Sequence, residues 1–351
     1  MTGFWNGKRV FLTGHTGFKG AWLSLWLEKL GASVSAFALP PEGDDSLYGR
    51  LFPTKPDNHH EMDLRDATGL TSCLADARPE IVIHMAAQAL VRRSYQDPAT
   101  TYATNVMGTV NLLEAVRACD SVRTVLVVTS DKVYANDEQG RPFVETDTLG
   151  GKDPYSNSKA ATEIVCQGYR ESFLSRRGVS LVCARAGNVI GGGDWSPDRL
   201  VPDAVRAFEQ GRPVSLRYPH AVRPWQHVLE PIAGYMRYLE RLTEAPQDLP
   251  DALNFGPDPQ SSASVARLVE TLAEGYDLAH AWEMASGEHP PEANLLKLNS
   301  DLAHTTIGWR SRLDLAQTLS WTSDWYAALR NGKDMRVFTL AQIAAYEEIL
   351  A

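Results

Sequence analysis

Residues 9–20 read Arg9-Val10-Phe11-Leu12-Thr13-Gly14-His15-Thr16-Gly17-Phe18-Lys19-Gly20. The first five form a short apolar, β-branched run of the kind that makes a buried strand. Three glycines follow, spaced Gly-x-x-Gly-x-x-Gly. Downstream, Trp22, Leu23, Trp26, Leu27 and Leu30 recur at helical spacing, and Gly31 is placed to end that helix. Strand, glycine turn and helix predict the first βα unit of a dinucleotide-binding fold. The glycines let the backbone turn tightly and approach a pyrophosphate. The helix N-terminus adds free N–H groups and the positive end of its dipole. The spacing is not Gly-x-Gly-x-x-Gly, and three glycines in seven residues also occur in plain structural turns. Their position directly after the first strand favours the nucleotide site. His15 and Lys19 place ionisable groups in the loop, either to meet the pyrophosphate or to point at solvent.

The chain has 351 residues and 44% hydrophobic content, enough for a large core and two lobes. A net charge of −9, with no sustained basic block, argues against general nucleic-acid binding. A local basic patch for a phosphorylated ligand is compatible with it. Cys73, Cys119, Cys166 and Cys183 are widely spaced, with no Cys-x-x-Cys pair, as expected of reduced thiols in a cytoplasmic protein rather than a disulfide frame or zinc site. His84 and His227 have no metal-ligand spacing to a partner, so no metal is expected. No signal peptide is expected ahead of the glycine motif. No apolar run approaches the roughly 20 residues that span a bilayer, so no membrane partner is expected.

Further apolar runs lie at Ser33 to Leu39, Ile81 to Met85, Thr124 to Thr129 and Ser180 to Ala184. Helical patterns separate them, for example Asn105 to Ala118 and Tyr155 to Phe173. This alternation predicts an α/β fold with a doubly wound parallel sheet, whose ligands sit beyond the carboxyl ends of the strands. The expected division is a dinucleotide-binding domain over 1–186, with segments near 225–256 returning to it, and a smaller, interleaved α/β substrate lobe over 187–351.

Tyr155 and Lys159 are four apart on a predicted helix and share a face. A free tyrosine is a poor base at neutral pH, but an adjacent ammonium favours its phenolate. Such a tyrosine can take a proton from a sugar hydroxyl while a hydride leaves the same carbon. Ser130 follows the strand Thr124 to Thr129, where catalytic side chains belong. Together, the glycine motif, His84-Met85-Ala86-Ala87-Gln88, Asn105, Ser130, Tyr155 and Lys159 resemble the extended short-chain dehydrogenase/reductase family, and within it the nucleotide-sugar 4,6-dehydratases over nearly the whole chain. Thr129-Ser130-Asp131-Lys132 falls where that group carries a hydroxyl residue, an acid and a second ionisable residue. Sugar 4-epimerases of the family usually lack the last two.

The resemblance implies a Rossmann domain, NAD as cofactor and a homodimer or homotetramer built on the Tyr155 helix. It also implies a 4-keto-6-deoxy sugar as product, serving 3,6-dideoxyhexose supply for surface polysaccharide. Tyr155, assisted by Lys159 and Ser130, would take the C4 hydroxyl proton. Asp131 would be the acid for the departing C6 hydroxyl, which requires it to be protonated. The lysine at 132 stands where dTDP- and GDP-linked relatives have glutamate, and with the strings Arg185 to Trp195 and Arg223 to Pro231 it points to CDP-glucose as substrate. Lys132 would act at C5 as a neutral base, as a cation on the enolate, or only as the ion-pair partner of an acid.

The same resemblance places the cofactor against Gly14, His15, Thr16, Gly17, Phe18, Lys19, Gly20, Asp63, Leu64, Ala86, Ala87, Gln88, Asn105, Tyr155 and Lys159. The usual ribose-binding acid after strand two is missing from Ala38-Leu39-Pro40-Pro41; Glu42 and Asp44 are displaced substitutes. Asp63 could equally cap a helix. Asn188, Arg199, Leu200, Arg223, Gln226 and His289 are the expected substrate contacts, the arginines by bidentate contact to phosphate or else as surface ion pairs. Two other readings stand beside this one: an epimerase or dehydratase for another nucleotide sugar, and a non-catalytic NAD sensor.

Overall fold

A computed structural model describes residues 3–43, 45–136, 138, 140–258, 260–286 and 296–351. Its centre is a seven-stranded, all-parallel sheet. In chain order its strands are β1 (Arg9–Thr13), β2 (Ser33–Ala38), β3 (His59–Glu61), β4 (Ile81–His84), β5 (Thr124–Val128), β6 (Ser180–Ala186) and the edge strand Ala252–Phe255. In space they run edge strand, β6, β5, β4, β1, β2, β3. The order reverses direction between β1 and β4, the switch point at which a crevice opens beyond the carboxyl ends. The doubly wound sheet expected from the sequence is the observed core. The inner strands β4 and β5 are buried at every residue, as continuous apolar runs in a two-sided sheet should be.

Helix α1 (Phe18–Lys29) departs from its sequence pattern. The spacing of Trp22, Leu23, Trp26 and Leu27 predicts one apolar stripe, yet every residue from Gly20 to Leu27 is buried. The reason is the last helix, Met335–Leu350, which lies over the outer side of α1. Trp26 Nε1 donates to Glu347 Oε1 at 2.8 Å, and Lys29 pairs with the same carboxylate. Leu30 caps α1 and Gly31 follows at φ +81°, its N–H closing on the Glu28 carbonyl at 2.9 Å.

Beyond residue 187 the chain adds three two-stranded pairs: Val189–Ile190 with Gln226–His227, Val222–Pro224 with Ser262–Ser264, and Val214–Leu216 with Trp282–Met284. One hydrophobic cluster runs through both halves, from Trp5, Trp22 and Trp26 to Trp325, Tyr326 and Tyr346. Trp22 Nε1 donates to the Gly192 carbonyl at 3.0 Å. A Cβ at Gly192 would lie 1.9 Å from Trp325 Cγ, so only glycine lets these indoles close over the chain.

His15, His84 and His227 are among the four described histidines that are fully or nearly buried in this frame, His59 being the other. Burial takes His84 and His227 to pKa values of about 3, with Lys159 adding to the effect at His84; burial and neighbouring His59 do the same to His15. All three are therefore neutral at pH 7. In the unfolded chain they take up protons below about 6.5, so the native state loses roughly 1.4 kcal/mol per histidine for each pH unit below that value. Thermal melts should show a Tm that falls as the pH is lowered from 6.5 to 5. A flat Tm across that interval would contradict the burial of these imidazoles.

Candidate active site

The site is assembled from the carboxyl ends of β1, β4 and β5. At the first, Thr13 Oγ1 accepts from the N–H groups of Met85 and Ala86 at 3.2 Å each and meets His84 Nδ1 at 2.6 Å. The Thr13 hydroxyl therefore donates to Nδ1, which leaves Nε2 to donate to Thr109 Oγ1 at 3.0 Å. The loop after β4 is thus tied to the end of β1. Gly14, at φ +81°, fits against it so closely that a Cβ would stand 2.6 Å from Ala86 N. At Gly20 a Cβ would stand 2.0 Å from the Gly14 carbonyl oxygen. Gly17 forms the N-cap of α1 with no side-chain cap and no acid in the first turn. Its open N-terminus and close-packed glycines suit a dinucleotide pyrophosphate, so the residues present fit the cofactor the sequence implies.

Around that loop the side chains sort differently from the expectation. His15 neither points at solvent nor carries charge: it is buried against Tyr48 and His59, with ring centroids 5.0 and 4.9 Å away. Lys19 is half-buried and turned inward. Burial, with the nearby Arg199, pulls its pKa to about 7, and Asp131 only partly opposes this. Thr16 Oγ1 is bonded to the Leu39 carbonyl at 2.9 Å, and the Phe18 ring lies beside Gly191. Asp63 does not cap the next helix; Asp66 does, accepting from Gly69 N at 3.0 Å. The Asp63 carboxylate is bound by Arg65, which holds its pKa below the usual carboxylate range. Leu64 packs against Gly108. Glu42 is exposed, and Asp44 lies outside the described residues.

Asn105 sits in a π-helical turn, Ala103–Met107, and its amide is fully engaged. Oδ1 accepts from Gln88 N at 2.7 Å, while Nδ2 donates to the Gln88 carbonyl at 3.0 Å and Ser158 Oγ at 2.8 Å. The Gln88 side chain is held by Thr101 and Leu90. Asn105 and Gln88 therefore shape the Ala86-Ala87-Gln88 loop, and their side chains leave the ligand side to its backbone.

After β5, Ser130 caps a single turn, Asp131–Val133. Ser130 Oγ donates to Asp131 Oδ1 at 2.9 Å, and Lys132 Nζ donates to the same oxygen at 3.2 Å. Asp131 is buried, Lys132 one-third exposed. Burial disfavours the Lys132 ammonium, but the Asp131 carboxylate and the Tyr155 phenol outweigh it and raise its pKa. Asp131 thus accepts two hydrogen bonds, one of them from a cation, which is how a carboxylate behaves.

Tyr155 and Lys159 are buried on the Pro154–Tyr169 helix, which Asp153 caps by accepting from Ser156 N at 2.9 Å. Lys159 Nζ donates to the Val128 carbonyl at 3.0 Å, and burial, opposed by Glu163, takes its pKa to about 8. Burial raises the Tyr155 phenol; Lys132, the Ser130 hydroxyl and Arg199 pull it down, and Asp131 adds to the rise. In this ligand-free geometry the cation acting most on Tyr155 is therefore Lys132, whereas the helical spacing alone singles out Lys159.

Of the expected substrate contacts, Arg199 stands at the N-cap of the Leu200–Glu209 helix, its Nη1 3.0 Å from Asp194 Oδ2, and its charge reaches Tyr155. The charge of Arg223 reaches Lys132. Asn188 Nδ2 is 3.4 Å from the Pro224 carbonyl. Gln226 is turned into the core and donates to the Phe255 carbonyl at 2.8 Å. His227 is packed between Trp22 and Trp321, and His289 lies outside the described residues. The sequence reading passed over Glu163 and the role of Arg185, both buried beside this site. A lone arginine in the apolar run of β6 was the available signal.

A model of the NAD dependent epimerase/dehydratase family matches residues 10–256. The chain is 43% identical over 348 residues to the CDP-glucose 4,6-dehydratase of Salmonella typhimurium, covering 98% of this chain and 97% of the relative. The dTDP-glucose 4,6-dehydratase of Streptomyces antibioticus is 29% identical over 75% of this chain and 74% of its own. Among solved structures, the UDP-glucose 4-epimerase of Thermus thermophilus in complex with NAD aligns with a TM-score of 0.73 at 26% identity, over 90% of this chain and 98% of the other. A dTDP-glucose 4,6-dehydratase from Bacillus anthracis in complex with NAD shares the fold, with a TM-score of 0.74 at 20% identity over 92% and 97% of the two chains.

The fit of the glycine loop is testable by one methyl group. Gly20→Ala should cost on the order of 1–3 kcal/mol through overpacking against Gly14 and weaken NAD binding at least tenfold. Titration calorimetry and a thermal melt read both. An alanine variant with unchanged NAD affinity would show that the loop does not hold the dinucleotide.

Proposed function

The chain belongs to the NAD dependent epimerase/dehydratase family, and we propose that it acts on CDP-glucose, forming CDP-4-dehydro-6-deoxyglucose. It is a nucleotide-sugar 4,6-dehydratase and its cofactor is NAD. The observation that carries the reaction is the Ser130-Asp131-Lys132 turn set against Tyr155, an acid and an ionisable partner beside a proton-abstracting phenol. The base assignment rests on the full-length likeness to a CDP-glucose enzyme.

When bound, NAD supplies the acceptor for the C4 hydride and the donor that returns it to C6. Tyr155 takes the proton of the C4 hydroxyl, with Ser130 and the surrounding cations favouring its ionised form. Lys159 adds positive charge from the same helix face. The C4 ketone makes the C5 proton acidic. Although the Asp131 carboxylate raises the Lys132 pKa, their direct contact is the path by which a proton moves from Nζ to Asp131 to leave a neutral amine and a carboxylic acid. The amine takes the C5 proton, and the acid protonates the departing C6 hydroxyl, which leaves as water. As the C5–C6 double bond is saturated, the Lys132 ammonium returns a proton to C5, and the proton held by Tyr155 then restores the pair to ammonium beside carboxylate. Arg199 and Arg223 bring positive charge for the diphosphate, with Asn188 and Leu200 beside them. The cofactor is held by Gly14 to Gly20, Ala86 and Ala87.

Tyr95, Met107, Ile164 and Phe173 are exposed along the helices of residues 91–118 and 154–174. They support a homodimer through that face, with further pairing to a homotetramer as its extension. Ile164→Asp should then sediment as a monomer; an unchanged mass would place the interface elsewhere. The four free cysteines agree with a reducing, cytoplasmic setting.

Purified protein with NAD, offered CDP-, UDP-, dTDP- and GDP-linked sugars separately, should convert CDP-glucose to a product lighter by one water, read by mass and NMR. In deuterated water that product should carry deuterium at C5. Turnover of another nucleotide sugar would overturn the base assignment, and inversion at C4 without loss of water would overturn the dehydratase reading. Tyr155→Phe should lower turnover by roughly 100- to 10,000-fold while NAD still binds. Loss of NAD binding in that variant would make the tyrosine a structural residue.

A further inference from the structure

One buried ion pair takes no direct part in that chemistry. Arg185, near the end of β6, and Glu163, on the Pro154–Tyr169 helix, are 4% and 5% exposed. Arg185 Nε lies 2.9 Å from Glu163 Oε1 and 3.0 Å from Oε2, and Nη2 closes on Oε2. Buried, such a pair must satisfy its remaining donors and lone pairs, and where it finds those partners is what matters. This one reaches out on both sides.

On one side, Thr129 Oγ1 donates to Glu163 Oε1 at 2.6 Å. On the other, Arg185 Nη1 donates to the Tyr134 hydroxyl at 2.7 Å and to the Glu145 carbonyl at 3.0 Å, and the guanidinium stands 4.9 Å from the Tyr134 ring centroid. Tyr134 passes its own hydroxyl proton to Asn254 Oδ1 at 2.7 Å, on the edge strand. Thr129 and Tyr134 are the residues that bracket Ser130, Asp131, Lys132 and Val133. Both ends of the catalytic turn are therefore fastened to the same ion pair. Glu163 is also one helical turn beyond Lys159 and two beyond Tyr155, on their face of the helix.

We infer that Glu163 and Arg185 are positioning residues, a clamp that sets the Ser130-Asp131-Lys132 turn at a fixed distance from Tyr155 and Lys159. The inference rests on the dehydratase reading for its catalytic consequence and on geometry alone for the clamp. The physical ground is stiffness. A planar guanidinium and a carboxylate joined by parallel hydrogen bonds fix angle as well as distance. Buried in low dielectric, they exchange little with water. Reacting groups in the turn must face the sugar from one side while Tyr155 faces it from the other, and a displacement near 1 Å is enough to cost on the order of 100-fold in rate. The same Glu163 charge sustains the Lys159 ammonium against its burial.

The test compares Glu163→Gln, Arg185→Lys and the double neutral variant Glu163→Gln with Arg185→Met. The reads are kcat and KM on whichever nucleotide sugar the wild type turns over, NAD affinity, Tm, and amide hydrogen exchange across residues 129–134. Each single variant should lose about 10- to 100-fold in kcat, with KM and NAD affinity within about threefold. Exchange should quicken in 129–134 beyond any global change. The double variant removes the unpaired charge and should regain Tm without regaining kcat. Should the single variants fail to fold, Thr129→Val and Tyr134→Phe leave the ion pair intact and cut one arm each; both should lower kcat about tenfold and loosen 129–134. Hydrogen exchange needs no substrate, so a wrong sugar assignment leaves the clamp open to test. Variants with wild-type kcat, a kcat that recovers together with Tm in the double variant, or unchanged exchange in 129–134 would overturn it.

Discussion

Between Gly14 and the backbone of Met85 and Ala86 there is no room for a side chain. That contact brings the end of β1 against the end of β4, the two strands at which the sheet reverses its order. Thr13 reinforces it by binding both N–H groups of the second loop, and His84, neutral and buried, ties the first strand to the helix behind. The open N-terminus of α1, the Ala86-Ala87-Gln88 loop and the turn after β5 face one crevice because these strands are parallel and adjacent. Remove the close approach and each loop keeps its sequence but loses its common target.

The electrostatics of the crevice run against those of the whole. The protein carries a net charge of −9, yet Lys19, Lys132, Lys159, Arg199 and Arg223 bear on a region whose buried carboxylates include Asp131, Asp194 and Glu163. Burial disfavours the ammonium forms of two of these groups: the pKa values of Lys19 and Lys159 fall to about 7 and 8, with Arg199 adding to the effect at Lys19. A ligand with a diphosphate favours the charged forms and so offsets that cost of burial. The arrangement gathers cations where an anionic ligand would restore their charged forms, and Asp131 adds the opposite charge beside Lys132.

Much of this was legible in the residues. The glycine turn, the alternating runs and the Tyr155–Lys159 spacing all depend on local pattern, and local pattern survives folding. Other features misled because the deciding partner is remote in sequence. The stripe on α1 was read as one face, while a helix more than 300 residues later covers the other. His15 was read as a charge in the loop, while Tyr48 and His59 close over it. Gln226 was read as a ligand contact, while its amide is bonded to Phe255. In each case burial, set by tertiary packing, reassigned a side chain whose type alone suggested another task.

The sequence by itself determined the parallel sheet and the glycine turn after its first strand, because each follows from periodicity or from residue chemistry at fixed spacing, and it nominated Tyr155, Lys159, Ser130, Asp131 and Lys132 as the groups proposed to handle protons. Only the tertiary structure decided that Lys132 is the cation acting most on Tyr155 and that Ser130 and Lys132 both bond to Asp131 Oδ1. It alone revealed that Glu163 and Arg185 are bonded to Thr129 and Tyr134, at both ends of the turn after β5. Those are matters of distance between residues from different strands and helices. Distance across a packed core is set by how side chains fill it, which no local run of sequence contains.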